Sequence, residues 1–402
     1  MQNMKKISGT KEGKKIGIMI DFLNFGGVEK VAVNQVFALN KIGIDADLLV
    51  LRRTKVSDTH PFKKILDQIP IVYLDDKLPK FLKFSFKIPF FSFFSIFHIT
   101  YPFFIPWVVK TKDYSAVVSH GTYTSFTAFS LKKFKKIPYL MFLWDPIFYI
   151  LNKRYSYGPI NTLKFIFLPI AKFIDRLLIK NADRIFLAGS AHVDYVNKTN
   201  PGKITFLYPG VENSPKYNEN REDYVISATA WKEGKDPEYL LKVLKELPEA
   251  KLVMAGGWYP PEMKDLFMEK VKDSGLLDRV EVTGAVSEER LRELYSNALV
   301  FLHISDDRGF GMGALEAASC GCPFVIPEHQ GVGELFDSGS EGFVTKEKDT
   351  SKIVSHLRNL LDNPKVAEKM GRRAWEKVND SYTWEKHAYK LNSEVLKVLS
   401  ND

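Results

Sequence analysis

Two glycine-rich segments contain the residue types that suit phosphate binding. Gly26 and Gly27 follow an apolar run and precede a helix-like pattern. The second segment places three alternating glycines before another helix-like pattern, at Gly309, Gly311 and Gly313. A helix start presents unpaired backbone amides and the positive end of the helix dipole, so it favours an anion. We predict phosphate contacts at both segments, with a plain tight turn as the alternative for Gly26 and Gly27.

Four further residues have side chains that could take part in chemistry. Glu316, about one turn inside the second helix, could accept hydrogen bonds from vicinal hydroxyls of a ribose; an acid that stabilises its own helix start is the alternative. His120 follows a predicted strand, where it could contact a ligand or serve a structural purpose. Cys320 and Cys322 have no histidine or cysteine partners nearby, so we predict no metal site; we also predict no cofactor. The same cysteine usage suits a reducing, cytoplasmic compartment.

Strand-like and helix-like segments alternate along the whole chain, which predicts α/β domains with parallel sheets. In the first half, we predict strands at 15–21, 47–51, 116–119, 139–143 and 184–188. A turn-rich stretch at 209–223 has the composition of a linker, so we predict domains at 1–210 and 211–402. Ligands of such sheets bind beyond the carboxyl ends of the strands, where the glycine segments and His120 lie.

The second half continues the alternation. We predict strands at 224–230, 251–256, 280–284, 300–305 and 323–327. The predicted helices are 237–247, 261–273, one that opens at Ser287, 313–319, and three terminal helices near 350–361, 366–378 and 384–399. All of these elements are assigned to the second domain.

Several of these segments resemble the C-terminal domain of the retaining group 1 glycosyltransferases, which have the GT-B fold. The strongest resemblance is carried by 279–284, 287–295, 309–327 and 331–335, and a weaker one by Gly26-Gly27 with Glu29, Ser190, 208–211 and Gly234-Lys235. The resemblance covers most of residues 15–345. It implies two Rossmann-like doubly wound domains facing a cleft, with C-terminal helices. It also implies metal-independent transfer of a sugar from a nucleoside-diphosphate donor with retention of configuration.

The resemblance also implies roles for individual residues. The ribose-binding glutamate of the family falls on Glu316 and its diphosphate-binding lysine on Lys235. Gly26 and Gly27 would lie against the phosphates, and the glycines of 309–313 would present helix amides to them. A fixed cation and helix amides are suited to the charge that develops on a departing diphosphate.

Three positions depart from the family pattern, and each has a substitute nearby. The arginine that usually precedes the lysine by five residues falls on Ala230, where Lys232 could supply the cation. The acid eight residues before Glu316 falls on Arg308, with Asp307 or Asp306 beside it. The histidine of the first domain falls on Trp144, which Asp145 follows directly. Without this compensation, the protein would be a catalytically weak or inactive relative.

Charge is distributed unevenly along the chain. Residues 1–210 have a net charge of +17, from 31 Lys and Arg against 14 Asp and Glu, whereas residues 211–402 have a net charge of −8. The first half also contains ten phenylalanines between Phe81 and Trp107 and a stripe formed by Lys172, Arg176 and Lys180. Together these features predict peripheral contact with an anionic membrane. Drift in surface charge and a buried core helix with solvated lysines are the alternatives.

The predicted function is therefore transfer of a sugar to a lipid, lipid-linked or glycan acceptor at the cytoplasmic face of a membrane. A nucleotide-sugar 2-epimerase and a non-catalytic sugar-nucleotide or membrane-binding scaffold are the rival functions. A nucleic-acid-binding protein ranks last, because no recognition motif of that class occurs and the second half is acidic.

Overall fold

A computed structural model describes residues 14–23, 26–56, 60, 62–78, 104–110, 113–154, 164–214, 216–305, 309–346 and 348–400. Asp306, Asp307 and Arg308 lie outside these residues, as does most of the phenylalanine-rich segment. The chain forms two compact units, Met1–Tyr208 with Trp384–Asp402, and Pro209–Thr383. None of the described helices has the combination of length, hydropathy and low charge that crossing a membrane requires.

The first unit contains a parallel sheet of seven strands. They are β1 (Lys15–Ile20), β2 (Ala46–Val50), β3 (Ile71–Tyr73), β4 (Tyr114–His120), β5 (Tyr139–Phe142), β6 (Arg184–Leu187) and β7 (Ile204–Phe206). Their order is β3-β2-β1-β4-β5-β6-β7. The central strands are almost continuously buried, as expected for parallel strands covered on both faces.

Helices connect these strands. They are α1 (Gly27–Lys41), α2 (Lys63–Leu66), α3 (104–108), α4 (Thr122–Lys135), α5 (Ile147–Arg154), α6 (Lys164–Asn181) and α7 (Val193–Asn197). From β1 the chain builds the sheet in one direction through β2 and β3, and from β4 in the other direction. The order therefore reverses between β1 and β4, and such a switch point opens a crevice at the carboxyl ends of the two strands.

The second unit contains a six-stranded parallel sheet and a two-stranded one. The strands are β8 (Glu222–Ala228), β9 (Trp231–Lys232), β10 (Lys251–Ala255), β11 (Trp258–Tyr259), β12 (Val280–Gly284), β13 (Ala298–Leu302), β14 (Phe324–Pro327) and β15 (Phe343–Thr345). The large sheet has the order β12-β10-β8-β13-β14-β15, and β9 pairs with β11. Its switch point lies between β8 and β13.

The helices of the second unit complete its alternation of strands and helices. They are α8 (Pro237–Lys245), α9 (Glu262–Asp273), α10 (Glu288–Asn297), α11 (Met312–Ser319), α12 (Thr350–Asp362) and α13 (Pro364–Ser381). The hydroxyl of Ser287 accepts a hydrogen bond from the amide of Arg290, an N-cap contact at the helix start that was predicted from the sequence.

The parallel α/β organisation and all ten predicted strands are confirmed, with ends that differ by up to three residues. Five strands were not predicted from the sequence, β3, β7, β9, β11 and β15, and each has only two or three residues. Strands this short give too few positions for a strand pattern to stand out from a loop. The division between the units follows Tyr208, two residues before the predicted boundary.

The last helix, α14 (Trp384–Ser400), belongs to the first unit, so its assignment to the second domain is wrong. Its inward-facing polar side chains find their partners there. The carboxylate of Glu394 forms a 3.0 Å ion pair with the guanidinium of Arg184 and accepts a hydrogen bond from the hydroxyl of Thr205. These contacts join residues that are far apart in the chain, so position along the sequence does not reveal them.

Candidate functional site

A lysine and a serine meet at the switch point of the second unit. Lys235 follows β8 and the short β9, and its ammonium donates a 3.3 Å hydrogen bond to the hydroxyl of Ser305, which follows β13. Ser305 is buried, and its carbonyl accepts a 2.7 Å hydrogen bond from Nε2 of His329, beyond β14. These two hydrogen bonds thus connect the loops that follow three neighbouring strands, β8, β13 and β14, next to the ammonium of Lys235.

Helix α11 begins at the same end of the sheet, and two glycines allow its close approach to the surrounding residues. Gly311 has φ of +89°, a conformation that suits glycine, and a Cβ there would lie 2.7 Å from Val332. A Cβ on Gly313 would lie 3.1 Å from the ring of Phe301 in β13 and 3.2 Å from the carbonyl of Ala228 in β8. The amides at the start of α11 therefore lie at the switch point, where an anion is favoured.

The loop before α11 is held by backbone hydrogen bonds. The carbonyl of Gly309 accepts from the amide of Gly331 at 3.1 Å, and that of Phe310 accepts from the amide of Val332 at 2.7 Å. Both donors belong to the 3₁₀ helix Gly331–Leu335. The glycine segment and 331–335, which the resemblance singled out separately, form one structural unit.

Glu316 lies on α11 next to a buried tyrosine. The side chain of Glu316 is half-buried, and Tyr295 is 1% exposed. Burial, and after it the negative charge of Glu316, raises the pKa of Tyr295 well above its ordinary value. Lys232 is the exposed residue of β9 and supplies a second cation to the loop that contains Lys235. The structure therefore brings Lys235, the glycine segment and α11 together, and Asp307 lies outside the described residues.

In the first unit, Gly26 is the N-cap residue of α1, after β1. A Cβ on Gly26 would lie 2.1 Å from the carboxylate of Glu29, whereas a Cβ on Gly27 would meet no atom within 4 Å. The carboxylate of Glu29 therefore folds back over Gly26, and because it is the far end of a flexible side chain this contact does not by itself require a glycine. Gly27 leaves open space beside the helix start.

A pocket of about 220 Å³ lies where β4 and β5 end. Val28 of α1, Tyr123 of α4, and Ile147 and Ile150 of α5 supply much of its wall, together with Trp144 and Asp145. The carboxylate of Asp145 accepts a 3.1 Å hydrogen bond from Nε2 of His192, which follows β6, and Asp145 remains 47% exposed. The pocket thus combines apolar walls with one oriented carboxylate, an arrangement that suits an amphiphilic ligand with a hydroxyl.

His120 belongs to a buried chain of hydrogen bonds behind this pocket. Nε1 of Trp144 lies 3.3 Å from Nδ1 of His120, and Nε2 of His120 lies 2.8 Å from Oε1 of Gln35. The amide nitrogen of Gln35 lies 2.9 Å from Nε2 of His387, whose Nδ1 lies 2.6 Å from the carbonyl of Tyr208.

The two ends of this chain fix the direction of every hydrogen bond. Indole N–H only donates and a carbonyl only accepts, so His120 carries its proton on Nε2 and His387 on Nδ1. Each ring is then neutral with both nitrogens satisfied. Burial, followed by the charge of His387, lowers the pKa of His120 to about 3, and burial lowers that of His387 to about 4. This arrangement favours a positioning role for His120 over the direct contact with a ligand that the sequence also suggested.

Sequence reasoning missed Ser305, His192, Gln35 and His387. Gln35 gives a local signal, since it is a polar residue on the buried face of α1, where Val31, Ala32, Val36 and Leu39 pack. Ser305 and His192 follow strands, which is the position where ligand-edge residues are expected. His387 gives no such signal, because it lies on a helix that is far away in sequence.

Comparisons with known proteins agree with this architecture. Residues 212–377 match the family model described as glycosyl transferases group 1. The N-acetyl-alpha-D-glucosaminyl L-malate synthase of Bacillus anthracis is 28% identical over 161 residues, 40% of this chain and 41% of that protein. The GDP-mannose:cellobiosyl-diphosphopolyprenol alpha-mannosyltransferase of Xanthomonas oryzae pv. oryzae is 28% identical over 157 residues, 37% of this chain and 41% of that protein. The chain thus spans about two fifths of the length of these relatives.

The likeness of fold extends over nearly the whole chain. The superposition with the structure of sucrose-phosphate synthase from Thermosynechococcus elongatus covers 97% of this chain and 100% of that chain, with a TM-score of 0.74 and 17% sequence identity. Two parallel-sheet α/β domains of this kind constitute the GT-B fold, so the predicted fold class is confirmed.

Proposed function

Because residues 212–377 match the family model of the group 1 glycosyl transferases, we propose that the chain transfers a sugar from a nucleoside-diphosphate donor to a lipid-linked or glycan acceptor, with retention of configuration. The observation that carries the proposal is the Lys235 ammonium, which lies beside Ser305 at the switch point where α11 begins. A cation and helix amides at one crevice suit a diphosphate.

The donor binds at the second unit in this proposal. Lys235 and the amides at Gly311 and Gly313 stabilise the negative charge that the diphosphate gains as the glycosidic bond to the donor sugar breaks. Glu316 accepts hydrogen bonds from the ribose hydroxyls. Lys232 supplies the cation that the family pattern places at position 230, and Asp307 and Gly309 contact the sugar or the phosphates.

The acceptor binds at the first unit in this proposal, in the pocket beside Trp144. Asp145, held by His192, accepts a hydrogen bond from the attacking hydroxyl, and the apolar wall contacts the rest of the acceptor. Gly26 and Gly27 lie against a phosphate in this proposal, and Gly27 leaves the open space for it at the start of α1. His120 and Gln35 hold the indole of Trp144 in place at the pocket wall.

A lipid-linked acceptor fits the charge of the first unit and the name of the Xanthomonas relative, which refers to a diphosphopolyprenol acceptor. We propose that the chain works at the cytoplasmic face of an anionic membrane as a peripheral protein. The basic groups of the first unit would contribute about 1 kcal/mol each when they lie near the surface.

The test is incubation of the full chain with UDP-, GDP-, ADP- and dTDP-sugars and a polyprenyl diphosphate-linked glycan, followed by NMR of the product. The expected result is release of one nucleoside diphosphate and a new glycosidic bond with the donor's anomeric configuration. Inverted configuration would refute retention. Interconversion of the free donor's sugar without transfer would establish an epimerase, and donor binding with no turnover would establish an inactive relative.

A further inference from the structure

Helix α6 exposes a row of large apolar side chains to solvent. Phe165, Ile166, Ile170 and Phe173 are 75%, 51%, 49% and 66% exposed. Their spacing places them on one side of the helix, because α-helical neighbours recur at three to four residues. The opposite side, with Ala171, Leu178 and Ile179, is buried in the unit. We call the exposed side the outer face of α6.

The same face becomes basic toward the end of the helix. Lys172, Arg176 and Lys180 are exposed, and the ammonium of Lys172 lies 4.4 Å from the ring of Phe148 in α5. The one acid in α5 and α6 is Asp175, which is fully buried. An outer face with apolar and cationic groups and no exposed acid is complementary to an anionic lipid surface.

Asp175 fixes this face relative to the pocket. Its carboxylate accepts hydrogen bonds of 3.0 Å from the amides of Ile147 and Phe148 at the start of α5, and another of 3.0 Å from the hydroxyl of Tyr195. Ile147 and Leu151 of α5 also pack against Ala171 in a small apolar cluster. The helix that supplies the pocket wall is therefore joined rigidly to the helix with the exposed face.

We propose that the outer face of α6 is a docking surface for an anionic bilayer and that it holds the pocket at the membrane surface. A lipid-linked acceptor then enters past Ile150, which is 37% exposed, while its chain stays in the bilayer. The inference rests on the proposed function only in taking the pocket as the acceptor site. Binding of vesicles in the absence of any donor tests the surface separately from transfer.

The exposed apolar side chains of the second unit provide a matched control. Leu266 and Leu277 are 59% and 49% exposed, in an acidic half of the chain. We compare flotation of the full chain, Phe165→Ser/Phe173→Ser and Leu266→Ser/Leu277→Ser with vesicles of phosphatidylcholine, with and without phosphatidylglycerol. The wild type and the leucine variant should bind only the anionic vesicles, and the phenylalanine variant should bind at least about tenfold more weakly. Equal binding of both variants, or binding independent of anionic lipid, would overturn the proposal.

A fluorescent reporter tests the orientation of the surface. Cys320 and Cys322 are buried, so a new cysteine on the surface can be labelled selectively. Environment-sensitive dyes on Phe165→Cys and Ile150→Cys should shift to the blue with anionic vesicles, whereas a dye on Leu266→Cys should not. A shift at Phe165→Cys without one at Ile150→Cys would contradict placement of the pocket at the bilayer. Donor binding by these variants, measured without vesicles, reports separately on the donor site.

Discussion

The ammonium of Lys235 and the hydroxyl of Ser305 lie 3.3 Å apart, and they belong to the loops that follow β8 and β13. These strands are neighbours in the sheet, but the chain leaves them in opposite directions. The contact therefore marks the crevice in which an α/β sheet binds its ligand. Its value for function is that a cation is held there before any ligand binds, so little reorganisation is needed when charge develops.

Replacement of Lys235 by alanine should lower kcat about 100-fold or more and raise the donor Kd less, because its charge matters most as the diphosphate departs. Steady-state kinetics and calorimetric donor titration measure the two effects. Ser305→Ala, which removes the hydroxyl that holds the ammonium but keeps the charge, is the comparison and should lower turnover less than Lys235→Ala does. Wild-type turnover in Lys235→Ala would show that Lys235 does not stabilise the departing diphosphate and would favour Lys232 as the cation that does.

Replacement of Glu316 by alanine should weaken donor binding by about 1 to 3 kcal/mol, as expected for loss of a charged hydrogen-bond acceptor. The half-buried position of Glu316 allows the substitution without loss of the fold. Calorimetric titration with the donor and with its 2′-deoxyribose analogue provides the comparison. Unchanged affinity of the variant for the ribose donor would refute the contact.

The buried histidines should make the first unit sensitive to acid. Folding lowers the pKa values of His120 and His387 from about 6.5 to about 3 and about 4. Their contribution to stability is thus complete above about pH 6.5 and is lost as the pH falls toward 4, by about 1.4 kcal/mol per pH unit for each ring. Urea unfolding of the full chain between pH 7.5 and 5 measures this loss.

His387→Gln supplies the control for the acid effect. A glutamine can donate to the carbonyl of Tyr208 and accept from the amide of Gln35, but it does not titrate. The variant should therefore lose about half of the histidine-dependent slope between pH 6.5 and 5. An unchanged slope would show that these rings do not govern the acid sensitivity.

Gln35→Leu should destabilise the first unit by about 3 kcal/mol, because it leaves a buried N–H of His120 and a buried nitrogen of His387 without their partners. The free energy of unfolding at pH 7.5 measures the change. Asn34→Leu, which removes one side-chain hydrogen bond to the carbonyl of Lys30, is the neighbouring control and should cost less. Equal losses in the two variants would argue against a continuous chain of hydrogen bonds.

Much of the fold could be predicted because most strands and helix starts are determined by residues that are close together in the sequence. Apolar runs bounded by turns located the central strands, and Ser287 located a helix start. The glycines at 311 and 313 were recognisable for the same reason, since a helix start that lies against two strand ends leaves no space for a Cβ.

The remaining features depend on contacts between distant residues. Gln35 and His387 are 352 positions apart, and only the return of α14 to the first unit brings them together. The role predicted for His120 shows the consequence. A histidine after a strand suggests a ligand contact, but the burial that makes it a neutral link in a chain is determined by a helix at the other end of the sequence.

A thermal-shift titration with nucleoside-diphosphate sugars tests the donor site most directly. The matched variants are Lys235→Ala and Lys251→Ala. Lys251 is exposed at the amino end of β10, opposite the carboxyl ends of the strands where the crevice lies. At 100 times its Kd, a donor should stabilise the wild type and Lys251→Ala by about 2.7 kcal/mol. Lys235→Ala should show a smaller shift. The account would be contradicted if no donor stabilised the wild type, or if Lys235→Ala responded like Lys251→Ala at every donor concentration.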